Sequence, residues 1–137
     1  MADHLTAERR SWNMSRISAK NTKPELAVRS LLHRMGYRFR LHRKDLPGRA
    51  DLVLPKYGTV VFVHGCFWHG HKGCPRANIP KSSRSYWIDK LAKNAARDKR
   101  NQRKLRKEGW RVLTVWECRT KDLRRLEARF RRTLVEP

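Results

Sequence analysis

The sequence predicts an α/β fold, a mixed central β-sheet flanked by helices. Three observations carry this. Thr59–His64 reads Thr-Val-Val-Phe-Val-His, almost wholly apolar and β-branched, as expected of a central strand buried on both faces. Val28, Leu31, Leu32 and Met35 recur at i, i+3, i+4 and i+7, which makes one buried face of a helix. In chain order the segments read α-β-β-β-α-β-α, which suggests a mixed sheet flanked by helices.

Each element has a local cause. Residues 1–21 are polar, with a short helical stretch over Ala7–Ala19 whose bulky groups are Trp12, Met14 and Ile17; they are expected to form an arm ahead of a single domain over 22–137. Thr22-Lys23-Pro24-Glu25 has the form of a capping box, with Thr as N-cap, Pro in the first turn and Glu at the third position. The helix that follows should stop at Gly36. Tyr37–Leu41 alternates Tyr, Phe and Leu with Arg, a half-buried strand pattern. Pro47-Gly48 turns the chain into a short apolar strand, Ala50–Leu54, and Lys56-Tyr57-Gly58 turns it again into Thr59–His64. Gly65–Pro80 is a loop rich in Gly, Pro, His and Cys. Ser82 or Ser83 can cap a long helix to about Lys107, with Ile88, Leu91, Ala92 and Ala95 inward and a basic outer face. Trp110–Trp116 is a further strand, and Lys121–Leu134 a last helix with Leu123, Leu126 and Phe130 inward.

Charge narrows the partners. The chain of 137 residues carries 34 Lys+Arg against 12 Asp+Glu, a formal net charge of +22. Self-repulsion at that level opposes compactness, so the excess points to a polyanion, with nucleic acid as the first choice because phosphate neutralisation releases counterions. The basic residues are spread along the chain and sit within helical apolar spacing, which argues for a folded domain with basic faces rather than a disordered tail. No apolar run reaches a membrane span, and Met1-Ala2-Asp3-His4 shows no signal-peptide pattern, so a cytoplasmic protein is expected.

Three cysteines cannot all pair with one another. Cys66, His71 and Cys74 lie close in sequence, and Cys118 follows the last strand as Cys66 follows the central one. Three thiolates and an imidazole make a common structural zinc complement with no open position. His69 competes with His71 as the nitrogen ligand, and spacing alone leaves both open. The alternative is three buried free thiols.

Acidic residues are scarce, so their positions matter. Asp51 opens the apolar run Asp-Leu-Val-Leu, where a carboxylate is unfavourable unless it is hydrogen-bonded or holds a cation. Mg²⁺, bound by one or two carboxylates together with substrate phosphate, fits that place. His64 and His69 flank Gly-Cys-Phe-Trp and can activate water near neutral pH. Glu25 either caps its helix, orients a histidine or binds a metal-bound water. Asp98 stands on a basic helix face, where an i,i+4 ion pair is the simplest reading. Phe67 and Trp68 in the cysteine loop and Trp87 at the start of the long helix are large aromatics suited either to padding the cysteine site or to stacking on or wedging between bases, and Met14 could act the same way from the arm.

The runs Leu46-Pro47-Gly48-Arg49-Ala50-Asp51, Val61-Phe62-Val63-His64-Gly65-Cys66-Phe67-Trp68-His69-Gly70-His71 and Gly109–Cys118, with Asn13-Met14-Ser15-Arg16-Ile17 before them, resemble the very short patch repair (Vsr) DNA mismatch endonucleases. The resemblance spans about residues 8–118. It implies a restriction-endonuclease-like (PD-(D/E)XK-type) core with a structural Zn²⁺. It implies Mg²⁺-dependent nicking of one strand 5′ to the thymine of a T:G mismatch, which initiates repair of deaminated 5-methylcytosine. Carried over residue by residue, Asp51 binds Mg²⁺, with Val63 able to contribute only its main-chain oxygen where restriction-like nucleases carry a carboxylate. His69 is the general base, His64 assists at the phosphate, Glu25 supports the histidine or water network, and Asp98 is a carboxylate near the active site. Cys66, His71, Cys74 and Cys118 become the zinc ligands. Phe67, Trp68 and Trp87 wedge beside the mismatch, and Met14 enters from the opposite groove. The expected enzyme is bacterial, monomeric and at work on the nucleoid, acting on double-stranded DNA, with other mismatch-repair proteins as further partners. Two other readings fit parts of the pattern: a non-catalytic zinc-stabilised DNA-binding module, and a restriction-type nuclease acting on matched DNA.

Overall fold

The computed structural model describes residues 22–136. The 1–21 arm, with Met14, lies outside the described residues. Helix α1 spans Lys23–Arg34 and strand β1 Arg40–Leu41. Strand β2 spans Leu52–Leu54, and a 3₁₀ turn over Pro55–Tyr57 leads to β3, Thr59–His64. Helix α2 covers Arg84–Lys107, β4 Arg111–Trp116 and α3 Leu123–Thr133. None of these helices is long and apolar enough to cross a membrane.

The four strands form one mixed sheet in the order β1-β2-β3-β4. β1–β2 and β2–β3 are antiparallel, whereas β3–β4 is parallel and joined through α2. Because side chains alternate along a strand, the sheet sorts its residues into two layers. Leu52, Leu54, Val61, Leu113 and Val115 face α1 and α3, where Val28, Leu31, Leu32, Leu126 and Phe130 complete the larger core. Val53, Val60 and Phe62 face the other way and join Leu46, Ala50 and Leu105 of α2.

Several expectations hold at residue level. Thr22 caps α1, its Oγ1 accepting the Glu25 N–H at 3.3 Å. The reciprocal half of the capping box is absent, because the Glu25 carboxylate turns to His42 instead. Others need correction. Only Arg40–Leu41 of the predicted Tyr37–Leu41 strand pair in the sheet; Tyr37 and Phe39 pack on the larger core without joining the ladder. Leu123 is exposed, so α3 buries Leu126 and Phe130 alone. On α2, Ile88 and Ala92 point outward. The inner stripe is Trp87, Leu91, Asn94, Asp98, Gln102 and Leu105, polar in its middle turns. Ser83 precedes this helix in a left-handed conformation and makes no side-chain cap bond.

Candidate active site and metal centre

β2 runs antiparallel to β3, so Asp51 at the start of β2 comes to the end of β3 where His64 stands. A cavity of about 630 Å³ opens there, lined by Asp51, Val63, His64 and His69 on one side and by Asp98, Asn101 and Gln102 of α2 on the other. Gly48 closes one wall. Its φ is +81°, and a Cβ at this position would come within 3.0 Å of Asn101 Cβ, so the loop can lie against α2 only with glycine here.

The Asp51 carboxylate accepts the Val63 N–H at 2.6 Å. Burial pushes its pKa up to about 7, and the nearby Glu25 carboxylate adds to this, while the Val63 N–H works against both. Such a group is ready to take a cation: Glu25, His42 and Asp51 each offer a ligand atom within 4.8 Å of the others. Glu25, only 1% exposed, is held by His42 Nε2 at 3.1 Å from both carboxylate oxygens and by Arg29 at 3.3 Å. Val63 meets Asp51 through its N–H, and its side chain packs on the larger core.

Across the cavity, His69 Nδ1 lies 2.6 Å from Asp98 Oδ2. Burial alone would raise the Asp98 pKa, but the bond from His69 and the neighbouring positive groups hold it below the usual carboxylate value. Asp98 is therefore an acceptor, and Nδ1–H donates to it. The His64 ring stacks on His69 with centroids 3.8 Å apart and planes within 7°. Burial, followed by repulsion from His69, pushes the His64 pKa down to about 4, over the opposing pull of Asp98. Asp51, His64, His69 and Asp98, picked from sequence, thus line one cavity, and Glu25 stands directly behind Asp51. The simple i,i+4 reading of Asp98 gives way to its bond with His69.

His42 was missed by sequence reasoning. It sits at the exit of β1 with φ +49° and donates its N–H to the Asp51 carbonyl at 3.3 Å. The one available signal was a histidine in the turn leading toward Asp51, too common a placement to single out.

The cysteine cluster assembles from register. His64 and Trp116 are partners in the parallel β3–β4 pair, and Cys66 and Cys118 lie equally far beyond them. Cys66, His71, Cys74 and Cys118 offer ligand atoms all within 4.8 Å of one another. The set supplies three sulfurs and one nitrogen, the soft donors that zinc takes in tetrahedral sites. His71, not His69, belongs to it: its Nδ1 is 3.5 Å from Cys118 Sγ and its ring stacks on Trp116. Burial pushes the Cys66 thiol up to about 12, which a bound cation would reverse. The Glu117 carboxylate accepts the Cys66 N–H at 3.3 Å and fixes the loop.

Phe67, Trp68 and Trp87 form a cluster of edge-to-face contacts with centroids 5.4–5.9 Å apart. Trp87 is 1% exposed and anchors it, whereas Phe67 and Trp68 are half-buried at its rim. Asn94 donates to the Trp68 carbonyl at 3.1 Å, tying the rim to α2.

Comparison with known proteins places the chain in a family. Residues 2–76 match the family described as DNA mismatch endonuclease Vsr. The type II nicking enzyme V.XorIIP of Xanthomonas oryzae pv. oryzae is 57% identical over 98% of each chain. The type II nicking enzyme V.NmeAIP of Neisseria meningitidis is 44% identical over 99% of this chain and 96% of its own. The DNA mismatch endonuclease Vsr of Escherichia coli is 43% identical over 86% of this chain and 75% of its own. Among solved structures, the catalytic domain of the homing endonuclease I-Bth0305I superposes with a TM-score of 0.57 at 20% identity, covering 82% of this chain and 94% of that domain. At that identity the likeness is one of fold alone, an α/β core with a mixed sheet and flanking helices. With over half its length matched by the family and close relatives along nearly all of it, this chain belongs to the Vsr family of DNA mismatch endonucleases.

Proposed function

We propose that this DNA endonuclease nicks one strand 5′ to the thymine of a T:G mismatch, with Mg²⁺ at Asp51 and Zn²⁺ at the cysteine cluster. The observation that carries the reading is the cavity itself, where Asp51 faces the His69–Asp98 pair. Mg²⁺ bound there would polarise the scissile phosphate and offset its charge. Asp51 is aimed by the Val63 N–H and, with the Val63 main-chain oxygen, would hold that ion. His69, its Nδ1 engaged by Asp98, has Nε2 left to take a proton from the attacking water. Asp98 fixes the ring's tautomer and orientation and stabilises the imidazolium that forms. His64, neutral near pH 7, backs the ring without adding a competing charge. A nick, rather than a double-strand break, accords with the relatives named as nicking enzymes.

Phe67 and Trp68, rooted on Trp87, form the wedge at the mismatch, with Met14 of the arm entering from the opposite groove. A weak pair unstacks at lower cost than a matched one, which favours the mismatch. Cys66, His71, Cys74 and Cys118 would hold Zn²⁺ as a cross-link between the ends of β3 and β4.

The test is nicking of a T:G duplex and its T:A control, with Mg²⁺ or EDTA. Expected is a single nick in the mismatched duplex with Mg²⁺, lost in Asp51→Ala while DNA binding persists. Equal cleavage of the matched duplex would identify a restriction-type nuclease, and no cleavage of either a binding module.

A further inference from the structure

We infer that His42 is a positioning residue of the reaction centre, holding the Glu25 carboxylate in place beside Asp51. The inference rests on the proposed role of Asp51 and Glu25.

Three observations support it. His42 is the donor placed symmetrically between the two Glu25 oxygens, at 3.1 Å from each. Its own backbone is tied to Asp51, with N–H to carbonyl at 3.3 Å, so one residue touches both carboxylate-bearing positions. It adopts φ +49°, a conformation that a residue with a Cβ rarely takes, and this points the ring inward from the end of β1.

The physical need is clear. Glu25 is fully buried and stands beside a second carboxylate, where its charge is unfavourable without donors. Arg29 Nη1 donates to Oε2 at 3.3 Å. His42 meets both, so it sets the rotation of the carboxylate plane relative to Asp51. The arrangement mirrors the far wall, where Asp98 orients His69; here a histidine orients a carboxylate. Groups that fix metal-binding carboxylates affect affinity about 10- to 100-fold.

The experiment uses the full chain and compares His42→Gln, which can present an amide N–H at similar reach, with His42→Phe, which fills the space without a donor. Mn²⁺ binding is titrated calorimetrically, and nicking of the T:G duplex is measured against Mg²⁺ and against DNA. Expected for His42→Phe is Mn²⁺ binding weakened about tenfold or more, with a matching rise in the Mg²⁺ needed for nicking and little change in KM for DNA. His42→Gln should recover most of the Mn²⁺ affinity. Equal losses in the two variants, or unchanged Mn²⁺ binding in His42→Phe, would overturn the inference. An active Asp51→Ala would instead sink the underlying site assignment.

Discussion

The Nδ1 atom of His69 and the Oδ2 atom of Asp98 are 2.6 Å apart, joining the loop after β3 to the middle of α2. This bond makes Asp98 more than a surface charge. Asp98→Asn keeps the size but cannot stabilise an imidazolium, and it can accept the Nδ1 proton only in one amide orientation. Nicking under single-turnover conditions should fall about 10²-fold or more, with DNA affinity changed only slightly. A rate within a few-fold of wild type would show that His69 works without Asp98.

Asp51 and His64 give opposite pH dependences with Mg²⁺ withheld. The Asp51 pKa rises from 3.8 to about 7, so its contribution is present below pH 4 and is lost as pH climbs through 7. The His64 pKa falls from 6.5 to about 4, so its contribution is present above pH 6.5 and is lost as pH drops toward 4. Asp51→Asn removes the first and exposes the second. Thermal melts should show the variant more stable than wild type above pH 7 by several degrees, and steeper in its loss of stability between pH 6.5 and 4. Parallel pH curves for the two proteins would contradict this.

The cysteine centre should behave as structure rather than catalysis. Purified protein should hold one zinc per chain by elemental analysis, and Cys118→Ser should lower the melting temperature sharply. Removing Mg²⁺ alone should stop nicking and leave that melting temperature nearly unchanged. Full stability of a zinc-free chain would place the cluster outside the fold's support.

The aromatic cluster should divide into two roles. Trp87 is buried at its root, so Trp87→Ala should cost roughly 3–5 kcal/mol of stability in denaturant unfolding. Trp68 is at the rim, so Trp68→Ala should leave stability nearly intact while reducing the preference for a T:G over a matched duplex. A reversal of the two effects would mean that the wedge is misassigned.

What the chain made legible depended on how local the cause was. Thr59–His64 forms its strand with the predicted bounds, because an unbroken β-branched run has few alternatives. The zinc-type cluster was legible from ligand spacing and from Cys66 and Cys118 each following a strand, and the parallel register of β3 and β4 brings those two ends together. The inner face of α2 was misread because its middle turns are polar: Asn94, Asp98 and Gln102 face inward toward the site, so apolar periodicity pointed to Ile88 and Ala92. Tyr37 and Phe39 alternate like strand residues, yet they meet the core from a segment that leaves the ladder early. His42 stayed invisible because its role comes from a left-handed backbone and from the approach of α1, neither of which leaves a pattern in sequence. The family resemblance, by contrast, assigned Asp51, His64, His69 and Asp98 together, and all four line one cavity.

The parallel pairing of β3 with β4 also fixes an order of assembly. Cys66, His71 and Cys74 leave the ribosome together, but Cys118 emerges only after the 24 residues of α2 and the whole of β4. At ordinary synthesis rates the nascent chain carries a three-ligand site for several seconds before the fourth ligand arrives. An ion captured early would hold the loop in waiting, and docking of β4 would then bring Cys118 to it and close the coordination shell. The cysteine centre would thus be completed late, once β4 has docked beside β3.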